Sequence, residues 1–205
     1  MTVEHPPQWV DAIFPDTEVI NRYVDILVNR GIDWGLLGPR EPERIWTRHV
    51  INSVAIAELI PLHARLCDVG SGAGLPGIPI AIARPDLQVA LVESLLRRSD
   101  FLNLAIDELG LGDRVTVVRA RAEDLQDSFD VVTARAVAPL PKLVTWTTPL
   151  FVPDGELLAL KGESAADELD AARPSLSPFG LQGEVLEVSA HALADPTYAI
   201  RVRKR

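Results

Sequence analysis

The sequence predicts an α/β fold: a mostly parallel seven-stranded sheet with an antiparallel C-terminal strand, preceded by a small helical extension. Two observations support this prediction. After residue 60, short apolar segments alternate with helical stretches, which is typical of right-handed strand–helix–strand units with helices on both faces of a sheet. Before that point, apolar residues recur at helical spacing. We therefore divide the chain into a helical extension, 1–60, and an α/β core, 61–205.

The extension contains two predicted helices. Apolar residues at helical spacing predict the first over 16–30, with Asp16 or Thr17 as its N-cap. The second is predicted over 42–60, where Pro61 ends it.

The core elements follow from the alternation of short apolar segments with amphipathic ones. The predicted strands are 65–69, 88–93, 115–118, 129–133, 155–160, 183–189 and 197–203. The predicted helices are 75–84, 95–109, 121–126, 139–150 and 164–172. No clear helix separates the last two strands, so we expect them to form an antiparallel hairpin at the edge of the sheet.

Composition restricts the functional class. The chain has 20 basic and 29 acidic residues and a net charge of −9, which argues against a general polyanion binder but leaves room for a local basic face. A single cysteine excludes an internal disulfide framework and indicates a reducing compartment. Neither a secretory signal nor an apolar run of membrane-spanning length is visible. We expect a cytoplasmic protein, without a membrane segment and without a metal site.

The most informative segment is a glycine-rich loop after the first predicted strand. Residues 66–77 read LCDVGSGAGLPG, with Asp68 two residues before the first glycine. Glycines allow positive φ angles and let backbone N–H groups approach a ligand closely. In an open α/β sheet, ligands bind beyond the carboxyl ends of the strands, where this loop is expected. The loop therefore predicts a nucleotide-like ligand, either phosphate-bearing or cationic.

Two acidic residues favour the cationic ligand. Gly72, Gly74 and Gly77 fit the dinucleotide pattern G-x-G-x-x-G, but Asp68 would place a carboxylate near a pyrophosphate. S-adenosylmethionine reverses this argument, because its ammonium and sulfonium groups attract a carboxylate. Glu93 ends the second predicted strand and is suited to accept hydrogen bonds from ribose hydroxyls. A dinucleotide site and a glycine-rich turn without a ligand remain as alternatives.

A further cofactor contact is expected after the third predicted strand. Backbone groups near Ala122 and Glu123 are placed to read an adenine edge. The alternative is an ordinary charged helix N-terminus, where acidic side chains are favoured by the helix dipole.

These motifs resemble the ribosomal RNA small-subunit methyltransferase G family, also called glucose-inhibited division protein B. The resemblance extends from about residue 14 to the C-terminus, and the loop tail Leu-Pro-Gly-Ile-Pro is its most specific part. It is carried by the segments 48–53 (RHVINS), 68–79 (DVGSGAGLPGIP), 121–124 (RAED), 129–138 (FDVVTARAVA) and 160–162 (LKG). The chain departs from the family where Asn52 replaces a frequent aspartate, and where Arg97 and Arg98 stand near a frequent lysine.

The resemblance implies a class I, Rossmann-like methyltransferase that uses S-adenosylmethionine. It also implies transfer of the methyl group to N7 of a guanine in the 530 loop of 16S rRNA, within the naked rRNA or the small ribosomal subunit. Guanine N7 carries a free lone pair, so the enzyme needs alignment more than a general base. Arginine is suited to orient guanine through O6 and N7. We expect a monomer.

The residues and the resemblance together assign roles to individual side chains. The predicted catalytic residues are Arg135 and Lys161, and the predicted substrate-binding residues are Arg48, His49, Arg97 and Arg98. The predicted cofactor-binding residues are Asp68, Gly70, Ser71, Gly72, Gly74, Leu75, Pro76, Glu93, Ala122, Glu123 and Arg135. The plain alternatives are a surface arginine, a solvated lysine and a core histidine.

Three other functions compete with this interpretation. A class I methyltransferase acting on a different RNA, a small molecule or a protein would fit the acidic net charge and the few aromatic residues. A nicotinamide-dependent oxidoreductase is disfavoured by Asp68. A non-catalytic nucleotide-sensing module is the third.

Overall fold

A computed structural model describes residues 2–205, in which seven strands form one sheet. The strands are β1 (Arg65–Val69), β2 (Gln88–Val92), β3 (Val115–Val118), β4 (Val131–Arg135), β5 (Glu156–Lys161), β6 (Leu181–Val188) and β7 (Thr197–Lys204). Their order across the sheet is β3-β2-β1-β4-β5-β7-β6. The first five strands pair in parallel, and β7 is antiparallel to both of its neighbours. The predicted mostly parallel sheet and its antiparallel C-terminal strand are confirmed.

Within residues 2–205, six α-helices connect or precede these strands. They are α1 (Thr17–Ile26), α2 (Asn52–Val54), α3 (Gly77–Ala83), α4 (Leu96–Leu109), α5 (Leu140–Phe151) and α6 (Ala165–Leu176). The Asp16 carboxylate accepts hydrogen bonds from the N–H groups of Glu18 and Val19, so Asp16 is the N-cap of α1. Among residues 2–205, no helix has the length and apolar character needed to cross a membrane.

The segment predicted as one helix over 42–60 has a more irregular form. Its ends are 3-10 turns, and wider π-type turns over Ile45–Ile51 lead into α2. Buried pairs recur every four residues, at 45–46, 49–50 and 53–54. Because this repeat exceeds the 3.6 residues of an α-turn, wider turns keep all three pairs buried.

Helices cover both faces of the sheet. Along β1, Leu66 packs with the N-terminal helices, α3 and α4, whereas Cys67 packs with α5 and α6. This alternation is the two-residue repeat of a strand. The N-terminal helices therefore share a core with one sheet face, and the division of the chain at residue 60 stays a prediction.

Two further predicted helices differ from the structure. The segment 121–126 forms only a 3-10 turn, Ala122–Asp124, because Ala122 is its one buried residue and a helix there would have almost no apolar face to pack. The helix predicted over 164–172 continues to Leu176, since Ala172 and Leu176 are buried on the same face.

Candidate active site

The glycine loop leaves the carboxyl end of β1 and turns into α3. The N–H groups of Gly70 and Ser71 donate to the Val92 carbonyl at 2.8 and 3.2 Å, which ties the loop to the end of β2. Gly70 has a φ of +71°, and a Cβ at this position would lie 2.6 Å from Val137. This position therefore requires glycine for both conformational and steric reasons.

Asp68 is a fully buried carboxylate beneath this loop. Its Oδ2 accepts a hydrogen bond from the Gly77 N–H at 3.0 Å, whereas its Oδ1 has no hydrogen-bond partner. Burial raises the pKa of Asp68 from 3.8 to about 7, although the Gly77 N–H and the positive charge of Arg135 oppose the rise. A buried oxygen without a partner is costly, so it fits a site that a hydrogen-bond donor or a cation completes.

Glu93 directly follows β2 and is also buried. Its two carboxylate oxygens accept hydrogen bonds from the N–H groups of Gly72 (3.1 Å) and Leu95 (2.9 Å). The guanidinium of Arg98 lies 3.8 Å away. Glu93 therefore joins the glycine loop to the start of α4 and presents a fixed carboxylate at the carboxyl end of the parallel strands.

A cavity of about 280 Å³ lies at the carboxyl ends of β1 and β2. Four predicted cofactor residues line it, namely Gly70, Glu93, Ala122 and Glu123. The remaining walls are Val69, Val92, Ser94, Ala120, Arg121, Val137 and Trp146. Apolar side chains together with the carboxylates of Glu93 and Glu123 suit the base and ribose of a nucleoside.

The second half of the loop lies outside the walls of this cavity. Gly74 and Leu75 are buried, and the Leu75–Pro76 peptide bond is cis. The Tyr23 hydroxyl donates to the Ala73 carbonyl at 2.8 Å and so holds the loop against α1. The structure leaves a cofactor contact at these positions as a prediction.

A second cavity, of about 480 Å³, contains both predicted catalytic residues. Its walls are Arg48, His49, Asn52, Arg135, Ala136, Leu160, Lys161, Gly162, Glu168 and Thr197. Arg135 ends β4 on the face that packs against the N-terminal helices, which brings it to Arg48 and His49. Lys161 ends β5 and forms an ion pair of 2.7 Å with Glu168.

Arg97 and Arg98 lie elsewhere, at the start of α4. Arg97 donates weakly to the Asp33 carbonyl at 3.4 Å, and its guanidinium lies 5.9 Å from the Trp34 ring centre. Arg98 is near Glu93, and neither arginine lines the two cavities. The structure thus brings together Arg48 and His49 but separates them from the other two predicted substrate-binding residues.

Several residues of the site have no marked signal in the sequence. Trp146 follows the apolar repeat of α5 and Tyr23 that of α1, so each reads as a core residue. Glu41 and Glu168 read as solvated acids, yet they pair with His49 and Lys161. Only the fold brings these partners together.

The residues present fit S-adenosylmethionine better than a dinucleotide. A pyrophosphate needs free N–H groups at the helix start, but the Gly77 N–H is already bound to Asp68 and Pro76 has no N–H. Asp68 and Glu93 instead offer carboxylate oxygens, which suit the ammonium and ribose hydroxyls of the cationic cofactor.

Comparison with known protein sequences identifies a family. The family model described as rRNA small subunit methyltransferase G matches residues 16–192. A ribosomal RNA small subunit methyltransferase G from a Nocardioides species is 52% identical over 184 residues, covering 88% of this chain and 73% of that protein. The protein of the same name from Mycolicibacterium smegmatis is 44% identical and covers 100% of this chain and 89% of its own length.

Solved structures share the fold at low sequence identity. A SAM-dependent O-methyltransferase from Thermotoga maritima aligns with a TM-score of 0.56 at 17% identity, over 75% of this chain and 64% of that one. A ribosomal protein L11 methylase from Lactobacillus delbrueckii aligns with a TM-score of 0.57 at 16% identity, over 75% and 77%. The chain belongs to the rRNA small subunit methyltransferase G family and is an S-adenosylmethionine-dependent methyltransferase.

Proposed function

We propose that this protein methylates N7 of a guanine in the 530 loop of 16S rRNA. Family membership supports methylation of small-subunit rRNA, because the relatives named above carry that substrate in their names. The choice of N7 and of the loop rests on the resemblance of the motifs.

The observation that carries the proposal is the arrangement of the two cavities. Residues 135–137, a short segment that begins with the last residue of β4, contribute to both. Arg135 and Ala136 line the 480 Å³ cavity, which we call the basic cavity after Arg48, Arg135 and Lys161, and Val137 lines the 280 Å³ cavity that contains Glu93. A nucleoside cofactor near Glu93 and an anionic substrate near Lys161 would therefore be neighbours.

The chemistry asks little of the protein beyond alignment. S-adenosylmethionine supplies a methyl group activated by its positively charged sulfur. Guanine N7 has a free in-plane lone pair, so no proton has to be removed before attack. Holding two reactants in line contributes on the order of 7–11 kcal/mol in favourable cases, and the site accordingly needs no general base.

Three basic side chains are suited to position the RNA. Arg135, held at the end of β4, can donate to guanine O6 while N7 stays free to attack. Lys161 is restrained by Glu168 and by a 3.2 Å hydrogen bond to the Ala138 carbonyl, so it offers a fixed charge. The Arg48 side chain is 60% exposed and is suited to a phosphate contact.

The test is methylation of 16S rRNA and of small ribosomal subunits from a strain without this modification, followed by mass-spectrometric mapping. We expect 7-methylguanine in the 530 loop with the wild-type protein, and none with Arg135→Ala, which should still bind S-adenosylhomocysteine. Arg203→Ala is a matched control. Arg203 lies opposite Glu156 in the register of β5 and β7, at the end of the sheet away from Arg135. Absence of 7-methylguanine with the wild-type protein would refute the proposal.

We also propose that the protein acts as a monomer in the cytoplasm, where rRNA is assembled into subunits. The predicted catalytic residues Arg135 and Lys161 and the predicted substrate-binding residues Arg48 and His49 meet at one cavity within a single chain, which supports this proposal. Light scattering at assay concentrations checks the monomer, and a dimeric mass would contradict it.

A further inference from the structure

Three side chains form a continuous hydrogen-bonded chain from the N-terminal segment to the basic cavity. Glu41 Oε2 lies 2.5 Å from His49 Nε2, and His49 Nδ1 lies 3.0 Å from Arg135 Nη2. The Nη1 atom of Arg135 donates to the Arg48 carbonyl at 3.2 Å. His49 and Glu41 are mostly buried, with side-chain exposures of 11% and 19%.

The chemistry of these groups determines where the histidine proton lies. A guanidinium can only donate, so His49 Nδ1 must be unprotonated to accept from Arg135. A neutral imidazole then carries its proton on Nε2, where Glu41 is the acceptor. Glu41 therefore selects the tautomer that can hold Arg135.

The surrounding charges support this arrangement. Glu41 Oε1 accepts a hydrogen bond of 2.7 Å from Arg44, and this contact together with His49 lowers the pKa of Glu41 to about 2. Arg48 lies 3.8 Å from Glu41 Oε2. Burial and the charge of Arg135 lower the pKa of His49 below 6.5, although Glu41 opposes this. An ionised Glu41 beside a neutral His49 is the consistent state near pH 7.

We propose that Glu41 is a positioning residue, which acts through His49 to hold the Arg135 guanidinium in the orientation that the basic cavity requires. This inference rests on the proposed function, since it assigns Arg135 to the guanine. Glu41 lines neither cavity, and among residues 2–205 the only residue of the basic cavity to which its side chain is hydrogen-bonded is His49.

A purely structural role makes different predictions. If the only role of Glu41 is its ion pair with Arg44 in the same turn, removing Glu41 should lower the free energy of unfolding. It should not change the His49 tautomer or the turnover of the folded enzyme. The test must therefore read the tautomer, the kinetic constants and cofactor affinity separately.

The experiment compares the wild-type protein with Glu41→Ala, Glu41→Gln and Glu43→Ala. Glu43 is an exposed glutamate on the same turn and is a matched control for charge. Nitrogen-15 NMR of the imidazoles reports the tautomer, and the protein has only four histidines, so His49→Asn assigns the signal. Single-turnover and steady-state methylation give kcat and KM, and calorimetry gives the affinity for S-adenosylhomocysteine.

We expect wild-type His49 to carry its proton on Nε2. Glu41→Ala should weaken that preference and lower kcat by about ten- to a hundredfold, the range found for partners that orient metal-bound histidines, with KM for RNA and cofactor affinity nearly unchanged. Glu41→Gln keeps an acceptor oxygen and should recover most of kcat, and Glu43→Ala should match the wild type.

The inference is overturned if wild-type His49 carries its proton on Nδ1, or if Glu41→Ala keeps normal kcat. The proposed function fails differently, because a wild-type protein that forms no 7-methylguanine would refute it whatever tautomer His49 has. In that case the NMR measurement still decides whether Glu41 sets the histidine proton.

Discussion

Replacing Asp68 with asparagine should stabilise the free protein at alkaline pH while weakening its binding of the cofactor. Asp68 is fully buried, and one of its two carboxylate oxygens has no partner. Asparagine has the same shape and can still accept the hydrogen bond from the Gly77 N–H, but it carries no charge. The substitution therefore measures the free-energy cost of the buried charge while the shape of the site stays nearly the same.

The magnitude follows from the shift in pKa. Asp68 has a pKa of about 7 in the folded protein, compared with 3.8 in the unfolded chain. Protonation of Asp68 therefore stabilises the folded state. This contribution is fully present below pH 3.8 and is lost as the pH rises through 7. One pKa unit corresponds to 1.36 kcal/mol, so this residue lowers the free energy of unfolding by about 3 kcal/mol between pH 5 and pH 8. Asparagine avoids that loss, although its unpaired amide group costs roughly 1–3 kcal/mol at any pH.

The assay is urea unfolding at pH 5 and pH 8, followed by the fluorescence of the four tryptophans. Relative to the wild type, Asp68→Asn should gain about 3 kcal/mol in unfolding free energy on going from pH 5 to pH 8. Asp100→Asn, on the exposed face of α4, is the matched control and should gain nothing. Calorimetry at pH 8 should show affinity for S-adenosylhomocysteine at least about tenfold weaker, which is 1.4 kcal/mol.

Two results would refute this reasoning. If Asp68→Asn and the wild type differ by the same free energy at both pH values, Asp68 does not hold its proton unusually tightly. If the variant binds S-adenosylhomocysteine as well as the wild type, Asp68 does not contribute to the cofactor site.

Three further predictions concern the loop and the core. Tyr23→Phe leaves the Ala73 carbonyl without its donor and should lower the free energy of unfolding by roughly 1–3 kcal/mol, measured by urea titration. Gly155→Ala would put a Cβ 2.5 Å from the Phe129 carbonyl oxygen, so thermal unfolding should show a loss of about 1–3 kcal/mol with unchanged cofactor affinity. Cys67 is fully buried, so a maleimide should label it only at the rate of unfolding, as mass spectrometry would show.

Each of these has a clear contrary outcome. Wild-type stability in Tyr23→Phe would mean that the hydroxyl does not anchor the loop. Normal stability in Gly155→Ala would mean that the backbone there moves freely, and rapid labelling of Cys67 in native buffer would mean that β1 opens without global unfolding.

The sheet and the acidic half of the site could be predicted because their signals are local. Each parallel strand is an apolar run of four to six residues, and Asp68 and Glu93 stand at the carboxyl ends of two of them. The topology of an open sheet then brings these ends together.

The rest depended on tertiary contacts that no local pattern contains. Glu41 and His49 are eight residues apart, but His49 and Arg135 are 86 apart, and their contact exists only because β4 ends beside the N-terminal segment. The π-type turns over Ile45–Ile51 could not be predicted from the sequence either, because the spacing of their apolar residues fits an ordinary α-helix almost as well.

The position of β7 between β5 and β6 constrains the order in which the chain folds. Among residues 2–205, β6 pairs with no strand except β7, so it cannot join the sheet ahead of that strand. A hairpin of neighbouring strands forms within microseconds, whereas pairing of distant strands is slow. We therefore expect β6 and β7 to dock on β5 as a preformed unit. Until they do, β5 presents an open edge of unpaired backbone groups, which is the stage at which the chain is most prone to aggregate.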